Sequence, residues 1–252
     1  MTRPGVAVLI PARRASTRLP EKLLLAETGT PLLIHTCRRA ADAFGRDALI
    51  VCADDPELAS VAADHGFRAE LTRSDHQSGT DRIAEVAAGI DAPVVVNVQA
   101  DEPEIDPAHI RLVAGLCQHH PDAGMATLAT PGDLDDQLNP DNVKVVLGAG
   151  GRAITFTRAP APWDRDRGGP AATCLRHIGI YAYRRRVLLD YDRMARSELE
   201  ERERLEQLRA IAAGVVIACG VVDHSAPGID TRADYDAFLR RQRPSPEGSE
   251  GQ

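Results

Sequence analysis

Residues 6–22 read VAVLIPARRASTRLPEK, an apolar run over Val6, Ala7, Val8, Leu9 and Ile10 that passes through Pro11 into a turn carrying Arg13, Arg14, Arg18 and Lys22. A short, unalternating run rich in β-branched residues marks a strand covered on both faces. Residues 48–53 (ALIVCA), 94–98 (VVVNV) and 215–219 (VVIAC) have the same character. Between them lie helical patterns. Thr30-Pro31 precedes Leu32, Leu33, Ile34, Cys37 and Ala40; Asp55-Pro56 precedes Leu58, Val61 and Ala62; Asp106-Pro107 precedes Ile110, Val113 and Leu116. Each pair reads as an N-cap followed by a first-turn proline, with one apolar helix face behind it. Strand alternating with helix predicts an α/β fold, a mostly parallel sheet flanked by helices. Ligands of such sheets sit beyond the carboxyl ends of the strands, so the loops there are the candidates for chemistry.

The rhythm changes after residue 131. Residues 143–147, 153–157 and 174–183 read as strands with little helix between them, and GAGG at 148–151 as a hairpin connection. The expectation is one domain over residues 1–243, with antiparallel arm elements inserted at about 131–183. Residues 197–213 read as one charged helix with Leu199, Leu205, Leu208 and Ile211 on its apolar side, and residues 232–243 as a last helix. PSPEGSEGQ, residues 244–252, is expected to be a disordered tail.

With 37 acidic against 30 basic side chains the formal charge is −7, which argues against wholesale binding to nucleic acid or an anionic membrane. Any anion has to be caught by a local cluster. The five cysteines are scattered singly, without metal-ligand spacing, so neither structural zinc nor a disulfide framework is expected. No apolar run approaches the roughly 18–20 residues of a membrane span, and residues 6–10 are too short for a signal-peptide core. A cytoplasmic protein is the expectation.

Four loops could carry chemistry. Arg13, Arg14, Arg18 and Lys22 form a cation cluster past a strand end, where arginine forks match phosphate oxygens and lysine acts as a point charge. Solvated surface arginines are the alternative. In VVVNVQADEP, residues 94–103, Asp101 and Glu102 would face the same crevice, and a carboxylate facing a polyphosphate needs a cation such as Mg²⁺ between them. The simpler reading of that segment is a helix-leading turn. TRSDHQSGTDR, residues 72–82, is a polar loop whose hydroxyls, amides and Gly79 suit a flat base edge; a Ser78-His76-Asp81 nucleophile set is its rival. In PGIDT, residues 227–231, Asp230 reads as a helix N-cap, the commoner role, or as a second magnesium ligand, and the two roles are not exclusive.

Taken together, IPARRASTRLPEK, TRSDHQSGTDR, VVNVQADEP, NPDNVKVV, FTRAPAPWDRDR, LRHIGIYAYR, LEQLR and GIDT resemble, in order along the chain, the 3-deoxy-manno-octulosonate cytidylyltransferases, or CMP-Kdo synthetases. The likeness runs from about residue 6 to residue 238. It implies a nucleotide-diphospho-sugar transferase-like (Rossmann-like) fold with an arm used in a homodimer. It also implies the reaction: CTP and the eight-carbon acid sugar Kdo give CMP-Kdo and pyrophosphate with Mg²⁺, activating the sugar for lipopolysaccharide synthesis. By the same resemblance Arg13, Arg18 and Lys22 hold the triphosphate, with Lys22 also catalytic; Arg73, Ser78 and Gly79 lie at the cytidine. Gln99, Arg158, His177, Tyr181, Glu206 and Gln207 surround the sugar, and Asp101 and Asp230 bind the metal.

Ala100 stands where that family usually has Gly, and residues 197–200 read SELE where it tends to have Ser-Pro-Leu-Glu. The segment between Trp163 and Leu175 is short for the family. These departures fall on the sugar side. An 8-amino octulosonate, or a sialic acid, is therefore the nearest rival acceptor, and a non-catalytic CTP-binding protein the rival of another class.

Overall fold

The computed structural model describes residues 5–243. The chain runs β1 (Val6–Ala12), α1 (Leu32–Phe44), β2 (Leu49–Ala53), α2 (Pro56–Asp64), β3 (Arg68–Leu71), α3 (Gly79–Ala88), β4 (Val94–Asn97), α4 (Pro107–His119) and β5 (Ala123–Gly132). It continues through α5 (Leu134–Leu138), β6 (Lys144–Leu147), β7 (Ala153–Thr157), β8 (Trp163–Asp164), β9 (Gly169–Pro170), β10 (Cys174–Arg184) and α6 (Arg185–Leu189). The last elements are α7 (Glu198–Glu203), α8 (Gln207–Ala212), β11 (Val216–Val221) and α9 (Arg232–Gln242). The tail expected at 244–252 lies outside the described residues.

The main sheet is ordered β11-β5-β10-β4-β1-β2-β3. β10 runs against both of its neighbours, and the other six strands of this path share one direction. The sheet is thus mostly parallel, as the alternating pattern predicts. The pleat sends alternate side chains to opposite faces. Val8 and Ile10 of β1 join Leu33, Ile34, Leu58, Ile110 and Val113 under α1, α2 and α4. Leu9, Ile50 and Val95 join Ile83, Val86 and Leu208 under α3 and α8.

Four expectations change. β1 continues through Pro11 to Ala12, with Pro11 in register with Cys52 of β2. Pro31, not Thr30, is the N-cap of α1, whereas Asp55 and Asp106 cap α2 and α4 as expected. β10 belongs to the central sheet, while β6 and β7 pair antiparallel beside it and β8 and β9 form a separate two-stranded ribbon. The single helix expected over 197–213 is two helices, α7 and α8, parted by Arg204 in the left-handed region at φ 54°. Leu199 is accordingly exposed, while Leu205 and Leu208 are buried.

Candidate functional site

Because β1, β4 and β11 share a direction, the segments leaving their carboxyl ends meet along one edge of the sheet. Packing fixes the encounter: Leu19 from the loop after β1 is buried with Ile229, just before α9, and with Tyr235 and Phe238 of α9. Lys22 opens a short 3₁₀ turn, Lys22–Leu24, after Glu21 in the left-handed region. Its ammonium donates to Asp101 Oδ2 at 2.6 Å, to the Ile229 carbonyl at 2.6 Å and to Asp230 Oδ1 at 3.4 Å. Arg18, largely exposed, reaches the same Asp230 oxygen at 2.9 Å.

The choice left open for Asp230 is settled against capping. Thr231 is the N-cap of α9, with a reciprocal capping box to Asp234. Asp230 stands one residue earlier and turns to the cations. Two carboxylates from different loops, already reached by one cation and joined by a backbone carbonyl, form a hard-oxygen donor set. That set fits Mg²⁺, which takes one or two carboxylates and completes its shell with phosphate and water.

Arg13 and Gln99 stand between two clefts. One, of about 110 Å³, also has Lys22 and Asp101 in its wall. The other, of about 270 Å³, has Ser78, Gly79 and Glu206. α3 begins at this second cleft. Ser78 is its N-cap, accepting from the Asp81 N–H at 3.1 Å, and helix N-termini favour anions. A Cβ at Gly79 would stand 3.2 Å from Pro11 Cγ, so glycine lets α3 start against β1 without crowding that ring. Arg73 lies instead on an adjoining depression of about 650 Å³ that shares His76 and Gln77 with the cleft, its Nε on Asp75 at 3.0 Å.

Arg82 was missed by sequence reasoning. It is 2% exposed and donates to Thr72 Oγ1 at 2.6 Å, the Arg73 carbonyl at 3.1 Å and Asp54 at 3.4 Å, tying the polar loop to β2. An arginine in the first turn of a helix, among otherwise apolar face positions, was the available sign. The nucleophile set is absent: His76 pairs with Glu85, and Ser78 is occupied with the helix cap.

On the other side of Gln99, β10 carries a register shift between Ile178 and Tyr181. Thr127 Oγ1 donates to the Ile180 carbonyl at 2.8 Å inside that bulge and lies 2.9 Å from His177 Nε2. With the hydroxyl proton directed at Ile180, His177 must donate from Nε2, leaving Nδ1 as its acceptor. Burial pushes the His177 pKa down to about 3, so the ring is neutral. Its ring meets Phe156 edge-on and Tyr181 at a tilt, with centroids 5.0 and 5.3 Å away.

Glu206 hangs over the larger cleft with one flank open to solvent. Its Oε2 accepts from Thr80 at 3.0 Å, and the cleft walls raise its pKa through desolvation. Gln207 is buried at the start of α8. Arg158 is turned away from these groups. Its Nε donates to the Glu203 carbonyl at 2.7 Å and its Nη1 to the Pro140 carbonyl at 2.9 Å.

Two further groups flank the site. Glu102 packs beside Gly179 and Gly228, and burial, reinforced by Asp101, pushes its pKa up to about 8. Arg14, the one cation of its loop that the family resemblance gives no ligand, pairs with Glu21 at 2.9 Å, Asp55 at 3.2 Å and Glu57 at 2.5 Å. It braces the loop against α2.

Residues 7–217 match the sequence profile of the cytidylyltransferases. Among solved structures, the fold superposes with TM-score 0.89 on a CMP:2-keto-3-deoxy-manno-octonic acid synthetase complexed with CTP. The two chains are 36% identical over 94% of this chain and 99% of that one. At 16% identity, where only the fold is at issue, a cytidylyltransferase from Leptospira borgpetersenii serovar Hardjo-bovis gives 0.60, covering 93% of this chain and 84% of that one. A nucleotidyl transferase from Methanothermobacter, also 16% identical, gives 0.57 over 94% and 98%.

Proposed function

The chain belongs to the cytidylyltransferase family, and from that premise we propose that it transfers CMP from CTP to the anomeric hydroxyl of 3-deoxy-D-manno-octulosonate, releasing pyrophosphate. The observation that carries the reading is the Lys22 ammonium clasped by Asp101 and Asp230 at the strand ends, beside the clefts that Arg13 and Gln99 share.

The hydroxyl oxygen bonds to the α-phosphorus as the bond to the bridging oxygen breaks. Pyrophosphate leaves with the electron pair, and the hydroxyl proton passes to solvent. Negative charge grows on the leaving group, so placed cations and dipoles do most of the work. Arg13, Arg18 and Lys22 supply that charge, and the start of α3 with Ser78 and Gly79 receives the cytidine, with Arg73 at its rim. Asp101 and Asp230 would hold Mg²⁺, which supplies electrostatic stabilisation and a lowered hydroxyl pKa.

Gln99, His177, Tyr181, Glu206 and Gln207 form the acceptor side, with neutral His177 offering hydrogen bonds without charge. Arg158 would have to leave Glu203 to meet the sugar carboxylate. We read residues 131–183 as containing the arm of a homodimer, a role favoured by the exposed Ile154 and Trp163, within one nucleotidyltransferase domain. No helix among the described residues is long and apolar enough to cross a membrane. A cytoplasmic enzyme supplying CMP-Kdo for lipopolysaccharide synthesis accords with that. The test is pyrophosphate release from CTP and Mg²⁺ with Kdo, 8-amino-Kdo or sialic acid. Release with Kdo foremost is expected; release with none of them overturns the reading.

A further inference from the structure

Three side chains outside the substrate clefts converge at the start of α4. Asp106 caps the helix, and its Oδ1 accepts from the Ala108 N–H at 2.7 Å. Its other oxygen, Oδ2, lies 3.6 Å from His224 Nε2. His109 follows on the same helix face, three residues on, and is buried with its ring centroid 5.2 Å from that of His224. One ligand atom from each of the three can be chosen so that all lie within 4.8 Å of one another.

We propose that Asp106, His109 and His224 bind one divalent first-row transition ion of the zinc class. Two imidazoles and a carboxylate are a nitrogen-rich donor set that suits zinc, cobalt or nickel, whereas magnesium prefers oxygen alone. The site is therefore chemically distinct from the Asp101–Asp230 pair. Around a tetrahedral ion with ligands at about 2.0–2.1 Å, donor atoms stand about 3.3 Å apart. The 3.6 Å contact is already near that spacing, and His224, whose side chain is 70% exposed, has room to turn for the remainder. Burial keeps the His109 ring in its neutral, ligating form, and the hydrogen bond from Ala108 favours the ionised Asp106.

The placement has a consequence for the substrate site. His224 lies in the segment between β11 and α9, six residues before Asp230. That segment is tied at one end by the Val222 N–H to the Ala129 carbonyl and at the other by the Ile229 N–H to the Asp101 carbonyl, each at 2.9 Å. Between them, Arg176 reaches Ser225 Oγ at 3.2 Å. An ion on His224 adds a staple from the middle of this segment to α4, restraining the backbone that presents Asp230.

Tag-free protein, stripped with chelator, is titrated with Co²⁺ in excess Mg²⁺ and followed by visible absorption. One Co²⁺ per chain should bind, be displaced by Zn²⁺, and slow amide hydrogen exchange over residues 222–231. His224→Ala, at an exposed position, should weaken Co²⁺ binding on the order of tenfold or more while its metal-free melting temperature stays that of the parent. His109→Gln should weaken it comparably. Absence of a stoichiometric cobalt band in Mg²⁺, or parental affinity in His224→Ala, overturns the proposal.

Discussion

The Lys22 ammonium stands 2.6 Å from Asp101 Oδ2 at a position only 7% exposed, so an internal cation holds the carboxylate pair together. Lys22→Met removes it and leaves Asp101 and Asp230 facing one another. An uncompensated charge of this kind costs about 1–3 kcal/mol, and less than in a closed interior because Asp230 is half exposed. Added Mg²⁺ should then raise the melting temperature of Lys22→Met more than that of the parent, since it restores the missing charge. Equal shifts in the two proteins would show that the pair does not share a cation.

Asp101 and Asp230 reach the same ammonium from different loops and should act as one unit. Asp101→Asn and Asp230→Asn should each lower kcat for pyrophosphate release by about 10²–10³-fold, the loss seen when one preorganised electrostatic contact is removed. The double variant should be little worse than either single one, because groups that work together are not additive. Independent, multiplying losses would separate their roles.

His177 gives a pH dependence with a definite sign. Its pKa lies near 3 in the fold against about 6.5 in an unfolded chain. Between those values the unfolded chain holds a proton that the folded one does not. The contribution of this ring to stability is therefore full above about pH 6.5 and is lost as pH falls toward 3, by up to about 1.4 kcal/mol per pH unit. Denaturant melts of the parent and His177→Asn from pH 7 to 4 should converge as pH falls. A constant gap would mean that the ring takes up a proton within the fold.

Much of this site was legible because its parts lie beside strong signals. Residues 6–10 and 94–98 announced buried strands, and in a parallel sheet their loops must share an edge, so Lys22 and Asp101 could be placed together from sequence. Asp230 was left between a helix N-cap and a magnesium ligand, and Thr231, one residue on, takes the cap of α9. Asp234, three residues beyond Thr231, decides it through the capping box, a spacing present in the sequence but not weighed there. β10 was recognised as a strand, yet its place between β4 and β5 was not, because an apolar pattern reports which face is buried and not which strand lies alongside. The break at Arg204 had a sign in the six-residue gap from Leu199 to Leu205, which does not follow a helical face. Arg82 was passed over and Arg158 was placed at the sugar by resemblance, because the backbone carbonyls they bind are set by tertiary packing that no local pattern reports.

The break at Arg204 also sets up the last prediction. Arg209 of α8 grips Glu200 of α7 with Nε at 3.0 Å and Nη2 at 2.5 Å, both side chains being 9% exposed. The guanidinium stands 5.4 Å from the Tyr191 ring, whose hydroxyl donates to the Glu206 carbonyl at 2.7 Å. Arg209→Met strands a buried carboxylate and should cost about 3–5 kcal/mol, whereas Glu200→Leu with Arg209→Met should recover most of it. Because the pair positions the residues before Gln207, the single variant should raise KM for the acceptor sugar more than KM for CTP. Urea melts and two-substrate kinetics test both halves. A double variant no more stable than the single would remove the ion pair as the cause, and equal KM changes would remove α8 from the acceptor side.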